Sequence, residues 1–258
     1  ALMFVGLLIL PPVIFYSLND SDSIIKGLGE IDPGLLNLWG FGGFNLMNFF
    51  TVLGLLSIGI GFMGSPQVYV RFIAISNTIE IEKGKWVAIF YTFLTDSSAV
   101  LIGILARYMF TKKGYNPELV LGVGGEDVLS LVIGQVMPSI IVGVYIAAVL
   151  SAVMSTIDSL LVVASSAVTR DLYQKIIRPD ISERSLIKIS KRVTFFLAFL
   201  ALLVALAVSV LSPTRTVFWF VIFGWSGIAA TFCPVIIMAV FWKGLTEKGA
   251  IASMLMGF

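Results

Sequence analysis

Long apolar runs separated by short charged segments constrain this chain more than any other feature. The runs cover residues 1–17, 45–65, 86–110, 139–168, 193–211 and 217–242, and a further partial run starts near residue 249. A helix that crosses the hydrocarbon core of a bilayer needs about 20 apolar residues. Backbone groups in lipid must be satisfied within their own segment, so runs of this length predict helices and not barrel strands. The sequence therefore predicts an all-α polytopic membrane protein with one transmembrane domain over residues 1–258.

The ends of the chain are both apolar. Residues 1–17 lack a charged leader region and a small-residue cleavage site, so we interpret them as the rear part of a spanning helix and not as a signal peptide. The run at the other end stops soon after it begins. We therefore expect the chain to be a fragment of a longer protein in the cell membrane, with the lipid bilayer as its surroundings.

Composition excludes several classes of function. Hydrophobic residues make up 58% of the 258 residues and charged residues 12%, which is far from the composition of a water-soluble domain. Histidine is absent and Cys233 is the single cysteine, which argues against zinc or haem sites, Ser-His catalysis and an internal disulfide. The net charge of +2 gives no support to nucleic-acid binding. No enzymatic activity and no cofactor are predicted.

The positive charges predict an orientation. Alternate connecting segments carry three, seven and two Lys or Arg residues, whereas the segments between them carry one, three and one, the last of these being Arg215. The positive-inside rule places the richer set in the cytoplasm. Residues 1–17 then end outside, and the runs 45–65 and 217–242 both end inside. The short apolar stretch 128–136 is predicted to be an interfacial or re-entrant helix on the outer side.

The second run contains residues that disfavour a regular helix. Gly59, Gly61, Gly64 and Pro66 lie within eight positions, and Pro66 also lacks a backbone donor. We expect the helix to break near mid-membrane. Freed carbonyl and amide groups must then face protein or a wet cavity, which is how transporter binding sites are commonly built. The structural alternative is a kinked helix that serves only packing.

The fourth run carries oxygen-bearing side chains. Ala152, Ser155, Thr156 and Ser159 lie along one helical face, where hydroxyl oxygens suit a hard cation such as Na⁺. Asp158 adds an ionisable group inside a span, which is costly and marks a candidate functional site. The alternative is that the hydroxyls bond to carbonyls one turn earlier or pack helices, while Asp158 pairs with a lysine.

Two weaker features remain open. Asp96 lies inside the third span and is either a cation or proton waystation, a partner of an arginine, or exposed to a cavity. The sixth span contains the run Gly224-Trp225-Ser226-Gly227 and then Cys233-Pro234. This pattern favours either a gate in which one helix bends and approaches another, or ordinary small-residue packing around an interfacial Trp.

Four collinear segments resemble the sodium/solute symporter family, particularly its proline carriers. They read GSPQVYVRF at 64–72, AVMSTIDS at 152–159, SSAVTRDLY at 165–173 and WSGIAATFCPV at 225–235. The resemblance implies a LeuT-like core of ten helices in two inverted bundles of five. This chain would begin within the fifth core helix and end after the tenth.

The resemblance also implies site residues. The main sodium site would take the carbonyl of Ala152 and the hydroxyls of Ser155 and Thr156, with its other half on the first core helix, which this chain lacks. A second sodium site in some relatives matches Ser155, Asp158 and Ser159.

The substrate contacts of the proline carriers are a Trp, a Tyr and a Pro at the broken helix. The matching positions here hold Ile58, Phe62 and Pro66, so only the proline is kept. This departure leaves proline itself open as the substrate, while Trp225 is a candidate gate.

The resulting hypothesis is sodium-coupled symport of a small organic solute, for instance an amino acid such as proline, by alternating access. A rival hypothesis is a membrane sensor in which a symporter-like region is joined to a signalling module. An ion channel ranks below both, because no charged ring or carbonyl filter motif is present.

Overall fold

The computed structural model describes residues 2–18, 21–37, 39–40, 42–211 and 216–257. Among these residues the chain is helical and contains no strand, in agreement with the predicted all-α class. The helices are α1 Leu2–Leu18, α2 Ser21–Ile31, α3 Leu46–Gly61, α4 Pro66–Ile73, α5 Thr78–Lys112, α6 Pro117–Val120, α7 Val128–Val136, α8 Ser139–Ser166, α9 Glu183–Leu211, α10 Val217–Phe241 and α11 Glu247–Gly257. Short 3₁₀ turns cover Pro33–Leu36, Phe62–Gly64 and Val123–Gly125, and a π-helix covers Ala167–Ile177.

Five helical segments in the described residues are long and apolar enough to cross a membrane. They are Leu46–Gly64, Thr78–Lys112, Ser139–Ile177, Glu183–Leu211 and Val217–Phe241, and Met3–Leu18 is a shorter apolar helix. Each coincides with a run predicted from the sequence. The helix α11 lies at the predicted partial run, and α7 has the bounds of the predicted outer helix. Arg215, which entered the charge count, lies outside the described residues.

The chain divides into two compact units, Ala1–Ala148 with Thr216–Phe258, and Val149–Arg215. In the first unit α1 packs along α5. Phe4 stacks on Tyr91 with ring centroids 4.7 Å apart, and one cavity is lined by Leu7 together with Ala99 and Ile102 further along α5. Phe4 lies near Tyr91, and the later residue Leu7 lies near the later part of α5. The two helices therefore run parallel. Parallel packing agrees with the charge count, which directs both helices outward.

The loop before α7, which contains Gly124 and Glu126, contacts the start of α10. The Glu126 carboxylate accepts a hydrogen bond from the backbone N–H of Val217, where the unpaired amides and the helix dipole favour a negative charge. Gly124 has a positive φ of 68°, and a Cβ atom there would lie 2.8 Å from the Thr216 methyl carbon. The loop therefore needs glycine at this position in order to reach the helix end.

The second unit is joined by hydroxyl groups. Ser165, near the end of α8, is 2% exposed. Its hydroxyl lies 3.2 Å from the Ser190 carbonyl oxygen of α9 and accepts a hydrogen bond of 2.8 Å from the Thr194 hydroxyl. The buried Thr169 hydroxyl donates to the Ser165 carbonyl at 2.7 Å. Immediately after this cluster the backbone widens, and the Arg178 N–H bonds to the Tyr173 carbonyl five residues earlier. A single layer of hydroxyls thus holds α9 against the end of α8.

Candidate transport site

The predicted interruption of the second span is present. The helix α3 ends at Gly61, the next three residues tighten into a 3₁₀ turn, and Ser65 is extended with φ −77° and ψ 115°. Pro66 then begins α4, in the first helical position where its missing N–H costs nothing. At 1.5 Å per residue α3 alone is about 24 Å long. The break thus separates a longer segment of 16 residues from a shorter one of 8 residues.

The interrupted segment approaches α10 closely because glycine lies at the contact. A Cβ atom on Gly61 would lie 3.0 Å from the Ala229 Cβ, and one on Gly64 would lie 2.7 Å from the Cys233 backbone nitrogen. The Cys233 thiol also lies 3.4 Å from the Ile60 carbonyl oxygen. These pairs advance together along α3 and α10, so the two helices are parallel, as the charge count requires.

Gly224 and Gly227, where the gate hypothesis expected a close approach, do not make one among the described residues. A Cβ atom on Gly224 or Gly227 of α10 would meet no atom within 4 Å in the described part of the chain. The α10 helix also continues through Pro234 without interruption. The glycines that permit contact belong to α3 and its 3₁₀ turn, and α10 contributes the small side chains of Ala229 and Cys233.

Phe62, a predicted substrate residue, contacts Trp225, the predicted gate. Their ring centroids are 4.6 Å apart with the ring planes at 40°. Aromatic pairs at such distances contribute about 0.5–1.5 kcal/mol beyond the area they bury. The pair holds the 3₁₀ turn after α3 against α10 beside the break.

A cavity of about 230 Å³ lies between α3 and α10, one helical turn before their closest contact. We call it the solute cavity, and its lining consists of Ser57, Ile58, Gly61, Ile222, Trp225, Ser226 and Ala229. Two of its lining residues have a predicted role, Ile58 as a substrate residue and Trp225 as a gate. Phe62 reaches it only through its contact with Trp225, and Pro66 lies beyond the break and does not line it.

Two lining residues had no predicted role. Ser57 and Ser226 each place a hydroxyl on one of the two helices that enclose the solute cavity. The available signal was a serine directly before Ile58 and another directly after Trp225. Recognising it requires knowledge that α3 and α10 are neighbours.

Ser65 is also a functional candidate that the sequence analysis did not single out. It is 0% exposed, and its hydroxyl has no hydrogen-bond partner in the part of the chain that the structure describes. The Ser65 carbonyl, in contrast, accepts from the N–H groups of Val68 and Tyr69 at 3.1 and 3.0 Å. The break therefore leaves one buried polar group unpaired.

The predicted sodium residues lie in the second unit, along α8. The Thr156 hydroxyl donates to the Ala152 carbonyl at 3.1 Å, and the Ser159 hydroxyl donates to the Ser155 carbonyl at 2.9 Å. These are the bonds to the preceding turn that the sequence analysis gave as the structural alternative. The Ala152 carbonyl and the Thr156 hydroxyl place two oxygens 3.1 Å apart, near enough to contact one ion.

The two acidic groups inside spans are exposed side chains. Asp158 and Asp96 have neither an ion pair nor a hydrogen bond within residues 2–18, 21–37, 39–40, 42–211 and 216–257. The lysine and arginine partners offered by the alternative interpretations are therefore not found in these ranges. A carboxylate exposed along an apolar span favours a cavity or an ion as its surroundings.

An all-helical membrane protein with one interrupted span and another span rich in hydroxyl side chains is typical of secondary transporters. The model of the sodium:solute symporter family matches residues 1–257. The chain belongs to this family, as the sequence motifs indicated.

Curated relatives extend the comparison. The chain is 29% identical to a high-affinity proline transporter of Bacillus subtilis, with 99% of this chain and 51% of the relative covered. It is 32% identical to a sodium/proline symporter of Haemophilus influenzae, with 80% and 40% covered. For a sodium/proline symporter of Escherichia coli the identity is 28%, with 100% and 49% covered. No solved structure gives a significant match.

The chain spans about half the length of these curated relatives. Membership of the family, together with the five helices long enough to cross a bilayer, confirms the prediction of a multi-pass protein of the cell membrane. It also confirms the prediction of a transport protein. A transport family fits the prediction that the protein is not an enzyme.

Proposed function

We propose that the full-length protein couples the inward movement of Na⁺ to that of a small organic solute, with proline as the first candidate. The observation that carries the proposal is the family match over residues 1–257. Relatives named as sodium/proline symporters support the choice of proline. The departure at Ile58 and Phe62 from the Trp and Tyr of proline carriers makes the solute the part that most needs measurement.

Na⁺ is proposed to bind at α8. The Ala152 carbonyl and the Thr156 hydroxyl oxygens lie 3.1 Å apart, and Ser155 adds a hydroxyl one position earlier. Carbonyl and hydroxyl oxygens are ligands that hard cations accept. The other half of the site is expected on a helix outside this chain. Asp158 and Ser159, with Ser155, are proposed to form a second sodium site one turn away.

The solute is proposed to dock in the solute cavity beside the break. Ile58 and Trp225 line the cavity, Phe62 contacts Trp225, and Pro66 ends the interruption. A break in a helix lets the segments on its two sides change their angle without loss of packing within either segment. Such a joint supports alternating access in a ten-helix inverted-repeat fold, of which this chain would supply the later helices.

Coupling requires that Na⁺ and solute together bind one state more tightly than the other. A ligand shifts a conformational equilibrium only by its differential affinity for the two states. The membrane potential contributes about 2.3 kcal/mol per charge per 100 mV to inward Na⁺ movement. No covalent chemistry is needed.

The test is uptake of radiolabelled solutes by the full-length protein in proteoliposomes, with and without an inward Na⁺ gradient. The panel contains proline, other amino acids, sugars and carboxylates. We expect uptake of one class that requires the gradient and collapses when Na⁺ is replaced by choline. Uptake that ignores Na⁺ would refute the coupling.

The sodium ligands are tested with Ser155→Ala and Thr156→Ala. Each removes one oxygen ligand, so the Na⁺ concentration for half-maximal uptake should rise about tenfold or more, since a hydrogen-bond-strength contact to a charge contributes about 1.5–3 kcal/mol. Thr156→Ser keeps the hydroxyl and should restore the parent value. Ser166→Ala, an exposed serine further along the same helix, is the matched control.

A further inference from the structure

We infer that Ser57 and Ser226 form the amine-recognising end of the solute cavity and select a solute that carries a protonated amine. This inference rests on the proposed transport function and gives a role to two residues for which none was predicted, although Ser226 lies within the family-like segment 225–235.

The two serines lie at matching levels on parallel helices. Gly61 of α3 and Ala229 of α10 make the close contact between the helices. Ser57 lies four residues before Gly61, and Ser226 lies three residues before Ala229, so each is one turn away from that contact along its own helix. Both line the same cavity of about 230 Å³. A solute in this space therefore meets one hydroxyl from each helix.

The hydrogens of both hydroxyls are already engaged. The Ser57 hydroxyl donates to the Gly54 carbonyl at 2.7 Å, and the Ser226 hydroxyl donates to the Phe223 carbonyl at 2.7 Å. A serine hydroxyl has one donor hydrogen and two acceptor lone pairs. With the donor spent on its own helix, each hydroxyl presents only acceptor capacity to the cavity.

Two acceptors without a free donor favour one kind of ligand group. An ammonium group with two N–H bonds can donate one hydrogen bond to each serine, whereas a carboxylate finds no side-chain donor from either serine. The Trp225 ring in the same lining adds attraction for a cation held near its face. The remaining lining residues are apolar or glycine, which suits the carbon skeleton of the solute.

The size of the cavity agrees with a small amine. A volume of about 230 Å³ corresponds to roughly eight water molecules at about 30 Å³ each. This is the size range of a small amino acid and is too small for a disaccharide. The chemical class is therefore a compact zwitterion or amine, and a secondary amine matches the two acceptors without an N–H left over.

The experiment compares proline with cyclopentanecarboxylate, which keeps the ring and the carboxylate but lacks the amine. Uptake of proline by the full-length protein in proteoliposomes gives KM, and inhibition of that uptake gives the Ki of the analogue. Ser57→Ala and Ser226→Ala should each raise the proline KM about tenfold, since each removes a hydrogen bond to a charged group. The Ki of the analogue should stay unchanged.

Matched variants separate recognition from folding. Ser57→Thr and Ser226→Thr keep the hydroxyl and should restore the proline KM. Thr51→Ala removes a hydroxyl that bonds to the Met47 carbonyl of the same helix, outside the cavity lining, and should leave KM at the parent value. Because KM and Ki are measured on the same transporting molecules, partial loss of folded protein does not alter their ratio.

The outcomes distinguish this inference from the proposed function. A parent protein that transports proline with Na⁺, and alanine variants whose proline KM is unchanged, would overturn the role of the serines and leave symport intact. An equal rise in proline KM and analogue Ki would also overturn it, since the loss would then not concern the amine. A parent protein that transports only solutes without an amine would overturn the inference while retaining symport, and a lack of any Na⁺-driven uptake would overturn both.

Discussion

Two helix–helix contacts form in opposite ways. One joins α3 to α10, and the other joins the end of α8 to α9. At the first contact, side chains are missing: Gly61 and Gly64 let the backbone of a broken helix come within van der Waals reach of Ala229 and Cys233. At the second, side chains make the bond: the Ser165 hydroxyl joins Ser190 and Thr194 of α9. Each contact forms within its own compact unit.

The two contacts should respond differently to amino-acid substitutions. Helices in a membrane gain little from the hydrophobic effect when they associate, so close packing and hydrogen bonds provide most of the attraction. A contact made by glycine accommodates an added atom only when the neighbouring helix moves, and it depends little on side-chain hydrogen bonds. A contact made by hydroxyls tolerates small shifts in distance but loses stability when a partner is removed. The following predictions test this contrast.

The largest expected effect is that of Gly64→Ala. The new methyl group would lie 2.7 Å from the Cys233 nitrogen and 3.0 Å from its Cα atom, both of them backbone atoms that cannot rotate away. We expect a loss of about 2–3 kcal/mol, the upper range for overpacking, seen as a lower thermal unfolding temperature in detergent. Gly54→Ala on the same span meets no atom within 4 Å and should be neutral or stabilising. Equal effects of the two variants would contradict the close contact.

An intermediate effect is expected for Ser165→Ala. The change removes the acceptor of the Thr194 hydroxyl and the group that bonds to Ser190, at a site that is 2% exposed. The expected cost is about 1–2 kcal/mol, measured by the same unfolding assay. Ser166→Ala, exposed and adjacent, should change stability by less than about 0.5 kcal/mol. A silent Ser165→Ala would show that the hydroxyl layer does not stabilise the contact.

The smallest effect is expected for Gly61→Ala, because the atom that its methyl group meets is the Ala229 Cβ at 3.0 Å. The neighbouring helix needs to shift by only a few tenths of an ångström, which should cost about 1 kcal/mol. The second change Ala229→Gly removes the opposing methyl group and should recover most of that loss. A double-mutant cycle measures the coupling, and strictly additive effects would show that the two residues are not in contact.

The sequence predicted those features that depend on local chemistry. Apolar length located the helices, and the glycines with Pro66 located the interruption to within a few residues of where α3 ends. The hydroxyl face from Ala152 to Ser159 lies on one helix, so its spacing was readable from the helical repeat alone. The predicted roles of these residues in binding sodium remain predictions.

The features that the sequence did not predict depend on which helices are neighbours. Ser57 and Ser226 are separated by most of the chain and become a pair only because α3 and α10 pack in parallel. The close approach of Gly64 to Cys233 has the same origin, since it depends on α10 lying beside the end of α3. The π-helix that begins at Ala167 was also missed, because its sequence shows no distinctive local pattern.

The tight contact at Gly64 has a consequence for motion. Ser65, whose extended backbone separates α3 from α4, directly follows the residue that lies against Cys233. The residue at a pivot moves least when the segments on either side of it turn. Here Gly64 is held in place by its contact with α10. Turning α4 about this point would change its angle to α3 while Gly64 stays packed against α10, so the two segments could reorient without breaking the contact between the helices.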